Sequence, residues 1–334
     1  MQIAVIGAGG WGTALAALLD AGGHRVCLWV RRPALYKHLR QQRENALYLP
    51  GIALAETLSF TTSLTEVAAE AELLVLAVPS HAMREVAGTL QPGLKGTALL
   101  VSVSKGIEEE TLKTMSAVLI DRLGDSWQER LAVLSGPSFA GEVARGLPTA
   151  VTVAASRANV RTTCQRVFAS ARFRVYTTSD VLGVEIGGAV KNVIAIAAGV
   201  SDGLGYGHSA RAALVTRGLA EITRLAVRLG AEPQTLSGLS GMGDLVLTCT
   251  SALSRNHGVG VRLGKGEKIQ SVLQGMTMVA EGVRTCRSVF SLAQRLAVEM
   301  PIVEQVYALL YTGKPPHQVV ADLLAREVKP EFSR

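Results

Sequence analysis

Aromatic residues make up only 4% of this 334-residue chain. So few rings do not form a platform on which successive bases stack, and Ala, Val, Leu and Gly are left to build the core. Cysteine is scarce as well. Cys27, Cys164, Cys249 and Cys286 lie far apart without C-x-x-C spacing, which excludes a disulfide framework and a zinc site and fits a reducing compartment. No run of five to eight Lys and Arg residues occurs, so a polyanion-binding patch is not expected. No stretch of 18 apolar residues occurs after the first 19 residues, so no membrane span is expected. Residues 1 to 19 carry no side-chain charge, but no basic region precedes them and glycines recur, so they do not read as a leader. These absences point to a cytoplasmic protein that binds no nucleic acid and has no membrane insertion.

What is present is a globular composition, 48% apolar and 18% charged, with length enough for two domains. Lys and Arg number 34 against 27 Asp and Glu, a net charge of +7. Spread thinly, that excess favours small phosphorylated ligands over polyanions.

The first half alternates short apolar runs with helical patterns, the signature of a parallel sheet with crossover helices. Strands are expected at "QIAVIG", "RVCLWV", "LLVLAVP", "ALLVSVS", "LAVLSG" and "TAVTVA". The Ser63–Glu66 pair predicts a capping box at one intervening helix, and another helix follows "PSHAM". After about residue 178 the strand signal stops. Helices are expected over 181–199, 209–229, 281–297, 301–311 and 316–326. The division is therefore an α/β domain over 1–178 and an all-α domain over 179–334.

"IAVIGAGGWGTALA" sets Gly7, Gly9 and Gly12 in G-x-G-x-x-G spacing between the first strand and a helix. Gly7 permits the tight turn, Gly9 lets backbone approach a pyrophosphate, and Gly12 lets helix and strand pack closely. The helix N-terminus then faces the phosphates. At the end of the second strand, where an acid would grip a ribose 2′-hydroxyl, stand Arg31 and Arg32. Two guanidiniums suit a 2′-phosphate, hence NADP(H) over NAD(H). Two solvated arginines at a strand end are the plain alternative.

"GGAVKNVIAIAAG" (187–199) poses a sharper question. Lys191 is the only charged side chain between Glu185 and Asp202, in a helix apolar on nearly every face and so expected to be buried. A lone buried ammonium lowers its pKa or finds a partner. Either the stem carries the charge to water or the lysine has a task. Lys105 follows a strand end, the edge where open α/β sheets bind ligands. "LSGPSFAGEV" offers backbone N–H groups after another. Asp244 reads as a helix cap or a site carboxylate. Ser254, Arg255 and Asn256 read as a helix start that could seat a phosphate, although Gly258 and Gly260 weaken that helix. Two lysines, a carboxylate, a phosphate seat and a bound nicotinamide would equip a reductase of phosphorylated ketones.

In order along the chain, "VIGAGGWGTALA", "NALYLPGI", "AVPSHAMREV", "SKGIE", "LSGPSFAGEV", "GGAVKNVIAIAAG", "GMGDLVLTCTSALSRN" and "VAEGVRT" resemble the bacterial-type NAD(P)-dependent glycerol-3-phosphate dehydrogenase family. The resemblance implies a Rossmann-type domain followed by an all-α substrate domain. It also implies interconversion of dihydroxyacetone phosphate and sn-glycerol 3-phosphate with NADPH, or with NADH, feeding phospholipid synthesis. Under it Lys191 is the general acid/base. Lys105, Asp244, Arg255 and Asn256 are substrate-site residues, with Gly136, Ser138 and Ser254 lining the site. Gly10, Trp11, Arg31, Lys105, Ala140, Arg255, Val279 and Glu281 are cofactor contacts, to which Arg32 and Tyr48 are added. Gly10 departs from the serine that many members carry, and Ala55 from a common proline. A homodimer is the assembly that family likeness suggests. Burial would lower the Lys191 pKa and a nearby Asp244 would raise it; the sequence does not decide between them.

Three rivals stay open at this point. One is a hydroxy-acid dehydrogenase of similar layout, which would lack the "SRN" seat; the second is a catalytically silent NADP(H)-binding sensor. A basic nucleic-acid binder is third, and only a gel shift insensitive to sequence yet lost at moderate salt would support it.

Overall fold

The computed structural model describes residues 1–276, 280–328 and 330–331. The first part runs β1 (Gln2–Ile6), α1 (Gly10–Ala21), β2 (Arg25–Trp29), α2 (Pro33–Gln42), β3 (Glu44–Asn45), β4 (Leu49–Ala53), β5 (Ser59–Thr61), α3 (Leu64–Glu70) and β6 (Leu73–Leu76). It continues with α4 (Met83–Leu90), β7 (Leu99–Ser102), α5 (Met115–Leu123), β8 (Leu131–Ser135), α6 (Ala140–Ala144), β9 (Thr149–Ala154), α7 (Ala158–Phe168) and β10 (Phe173–Thr178). All six expected strands form. Among the described residues they join β5 and β10 in an eight-stranded sheet of order β10-β9-β8-β7-β6-β1-β2-β5.

The sheet is parallel, as expected, except at one place: β9 runs antiparallel to β8. Every residue of β6 and of β8 is buried, as continuous Val/Leu runs covered on both faces should be. β10 was not among the expected strands, although it alternates as a half-buried strand does: Phe173 and Val175 are buried, Arg174 and Tyr176 exposed. Ser63 does cap α3, its Oγ accepting from the Glu66 N–H at 3.4 Å.

The second part is helical: α8 (Val181–Gly203), α9 (His208–Arg228), α10 (Pro233–Leu236), α11 (Asp244–Thr250), α12 (Arg255–Gly264), α13 (Ile269–Gln274), α14 (Glu281–Leu296), α15 (Pro301–Tyr307) and α16 (Pro316–Leu324). Wider π-type turns precede α11 and follow α15. α8 is the axis of this part, buried without a break from Gly183 to Ser201 and packed by α9, α11, α12 and α14. By length and composition it could cross a membrane, although Glu185 and Lys191 interrupt its apolar run. Almost all of it is inside the protein, so it is a core helix.

Gly258 and Gly260 do not break α12. A side chain on Gly260 would lie 2.1 Å from the Ile196 carbonyl oxygen, and one on Gly199 would lie 2.1 Å from that of His257. The glycines are where α8 and α12 touch backbone to backbone.

Candidate active site

Lys191 lies midway along α8, 6% exposed. Its Nζ donates to Asp244 Oδ1 and, at 2.7 Å, to Thr248 Oγ1. Asp244 opens α11 and is 1% exposed. Its other oxygen accepts from Lys105 Nζ at 2.6 Å. One carboxylate thus bridges two ammoniums that the chain brings from β7's C-terminal side and from α8. Burial pushes the Lys191 pKa down to about 8, and it outweighs the Asp244 carboxylate, which raises it; Lys105 adds to the lowering.

The glycines of "GGAVKN" make this convergence possible. A side chain on Gly187 would meet the Ser240 carbonyl oxygen at 2.7 Å. One on Gly188 would meet Ser135 Oγ at 2.8 Å and the Lys105 stem at 3.5 Å. Without side chains there, Lys105 and the turn before Asp244 lie directly against α8. Gly136 has φ +146, where a side chain would sit 2.9 Å from Val151 Cα. Its carbonyl accepts from Ser138 Oγ at 3.0 Å and Lys105 Nζ at 3.4 Å.

Ser254 caps α12, its Oγ accepting from the His257 N–H at 3.2 Å. Arg255 is exposed at the first turn; the protein around its guanidinium lowers its pKa by desolvation, and the Glu281 carboxylate opposes that shift. Asn256 is buried and cross-links helices: it donates to Asn192 Oδ1 and accepts from the Gly282 N–H, both at 2.9 Å. Glu281 faces the sheet domain, accepting from Ser80 Oγ at 2.6 Å and from the Ser80 N–H at 3.3 Å. Val279 lies outside the described residues. Thr248 and Asn192 were not singled out from sequence. Thr248 could have been, since it lies four residues after Asp244 and so on the same helical face.

A second cluster forms at the glycine turn. Gly7 has φ +119, and a side chain there would meet the Ala77 carbonyl oxygen at 2.6 Å; one on Gly12 would lie 1.9 Å from the Gly7 carbonyl oxygen. Gly9 has open space around it. α1 starts there with no side-chain cap and no acid in its first turn, so its first N–H groups are available to an anion. Gly10 lies between Tyr48 and Ala140, with Trp11 packed partly into the core. Arg31 and Arg32 are exposed at the end of β2. The glycine turn and the open start of α1 fit the pyrophosphate of a dinucleotide.

The NAD-dependent glycerol-3-phosphate dehydrogenase N-terminus matches residues 2–161, and the C-terminus of the same family matches 180–321. The chain is 53% identical to the glycerol-3-phosphate dehydrogenase [NAD(P)+] of Syntrophotalea carbinolica, over 99% of this chain and 100% of that one. The chain belongs to this dehydrogenase family. The Myxococcus xanthus glycerol-3-phosphate dehydrogenase [NAD(P)+] is 52% identical over 100% of this chain and 99% of its own. The solved glycerol-3-phosphate dehydrogenase of Coxiella burnetii superimposes with TM-score 0.93 at 39% identity, covering 97% of this chain and 98% of that one. A D-mandelate dehydrogenase solved with NADH matches at TM-score 0.60 and 13% identity, over 96% of this chain and 99% of that one, a likeness of fold alone. The hydroxy-acid layout is therefore shared by this dehydrogenase family, while the sequence relationship lies with the glycerol-3-phosphate enzymes.

Proposed function

We propose that the protein reduces dihydroxyacetone phosphate to sn-glycerol 3-phosphate with NADPH, NADH serving less well. The reading rests above all on Lys191, a buried ammonium held between Asp244 and Thr248 with a pKa lowered to about 8. A group poised near working pH is what general acid/base work needs.

When bound, the reduced nicotinamide supplies hydride to substrate C2. Lys191, as ammonium, gives its proton to the oxygen on C2 and is left as the neutral amine; in the reverse direction that amine takes the hydroxyl proton. Lys105 adds positive charge where the oxyanion develops. Asp244 holds both lysines at their separation. Arg255, Ser254, Asn256 and the start of α12 seat the phosphate, with Gly136 and Ser138 lining the opposite wall, so binding energy remote from C2 positions the carbonyl. Gly7, Gly9, Gly10, Trp11, Gly12, Tyr48 and Ala140 hold the pyrophosphate region, Arg31 and Arg32 the 2′-phosphate, and Lys105, Arg255, Val279 and Glu281 complete the cofactor contacts. A sheet domain over 1–178, a helical domain over 179–334, a cytoplasmic setting, a homodimer and a supply of product to phospholipid synthesis belong to the same reading.

The test is consumption of NADPH with dihydroxyacetone phosphate, followed by the loss of reduced-nicotinamide absorbance. Turnover supports the reading. Tight NADPH binding without turnover favours the silent sensor instead.

A further inference from the structure

The β3–β4 hairpin was not expected from sequence, and it sits on the glycine turn. Its deepest polar group is Asn45, 0% exposed. Asn45 Nδ2 donates to the Ala8 carbonyl at 3.0 Å and to Thr13 Oγ1 at 2.8 Å. Its Oδ1 accepts from the Tyr48 N–H at 3.3 Å. Ala8 lies inside the G-x-G-x-x-G turn and Thr13 in the first turns of α1, 37 and 32 residues away in the chain. One carboxamide thus fastens the hairpin to both arms of the turn that leads into the open N-terminus of α1.

The hairpin is seated closely. A side chain on Gly10 would lie 2.7 Å from the Tyr48 carbonyl oxygen, with Ala140 Cβ at 3.7 Å on the other side. Glycine at position 10 is what admits the Tyr48 backbone so near α1. A buried amide with its donors and acceptor all engaged holds one arrangement and penalises others, because any slip strands polar groups away from water.

We propose that Asn45 is a positioning residue for the dinucleotide: it pins the Glu44–Ala53 hairpin over the glycine turn, and Gly10 provides the space that lets it seat. The inference rests on the NADP(H) reading of this turn. Asn45 makes no direct contact with substrate under it; its influence passes through Ala8, Thr13 and Tyr48.

The test is NADPH affinity of the full chain by fluorescence titration without substrate, beside steady-state kinetics and a urea melt. Asn45→Ala is expected to raise the NADPH Kd and KM about tenfold, the loss equivalent to roughly 1.4 kcal/mol, while the KM for dihydroxyacetone phosphate and kcat at saturating NADPH hold. Gly10→Ala, which pushes the Tyr48 carbonyl away, is expected to cost NADPH affinity similarly. The double variant should be no worse than the poorer single one, because both lift the same hairpin. An Asn45→Ala protein that melts earlier yet binds NADPH as the wild type does overturns the proposal, as do fully additive losses in the double variant. If Asn45→Ala does not fold, Thr13→Val, which removes one acceptor of the Asn45 amide, takes its place, and unchanged NADPH affinity in it is a refutation. Because the titration contains no substrate, failure to turn over dihydroxyacetone phosphate would defeat the proposed reaction and leave this test readable.

Discussion

Lys191 and Asp244, 53 residues apart in sequence, form a buried ion pair in which burial nevertheless prevails: the ammonium is easier to deprotonate than in water, with a pKa of about 8. This relationship sets the expected pH behaviour. Ketone reduction needs the protonated lysine, so its kcat should fall as pH rises through about 8. Oxidation of glycerol phosphate needs the neutral amine and should rise through the same region. Lys191→Ala should lower kcat roughly 10²–10⁴-fold with NADPH binding retained. A variant as active as the wild type would reduce Lys191 to packing.

Asp244→Asn isolates the carboxylate. It removes the charge that raises the Lys191 pKa while burial and Lys105, which lower it, remain. The descending limb of the reduction profile should therefore move below about 8. Leaving two ammoniums without their shared anion should also destabilise the fold, by roughly 3–5 kcal/mol for a broken buried pair. A pH–rate profile and a urea melt read the two effects separately, and a limb that stays in place would contradict the electrostatic account.

Arg31 and Arg32 bear on cofactor choice. Changing both to alanine should raise the KM for NADPH about ten- to a hundredfold, from the loss of charge-assisted contacts worth roughly 1.5–3 kcal/mol, and should leave the KM for NADH nearly as it was. Equal losses for both cofactors would assign the arginines to the common part of the dinucleotide.

Glu221 offers a test of stability away from the site. It is 2% exposed and accepts from the Ile302 N–H at 2.8 Å and the Val303 N–H at 3.3 Å, at the start of α15. Burial raises its pKa from 4.5 to about 7, those N–H groups opposing the rise. The folded state therefore holds a proton that the unfolded chain releases between these two values. This group's contribution is full below about pH 4.5 and is lost as pH rises to about 7. Urea midpoints across that window should show the decline in the wild type, and Glu221→Gln should flatten it. An unchanged slope in the variant would assign the pH dependence to other groups.

Local chemistry was legible where one element carries the message. The six apolar strands, the glycine turn and the isolation of Lys191 in an apolar helix are all patterns of short range, and each stands in the structure. The α12 helix shows the limit. Gly260 lowers helix propensity locally, yet the helix forms because Gly260 and Gly199 let two backbones meet, a gain that belongs to a pair of helices. The β3–β4 hairpin was illegible for another reason: a two-residue strand is too short to show a period. The links from the Asn256 carboxamide to Asn192 and to the Gly282 N–H were illegible as well, because they join residues far apart in the chain.

By itself the sequence determined the layer order, the dinucleotide turn and the presence of a lysine that water could not easily reach, because periodicity and glycine spacing act over a few residues. The tertiary structure alone decided that Asp244 and Thr248 hold that lysine, that burial outweighs the carboxylate in setting its pKa, and that Asn45 reaches the glycine turn. Each of these depends on groups remote in the chain meeting at hydrogen-bond distance in a space closed to water, where small changes of separation and solvation decide the balance of charge.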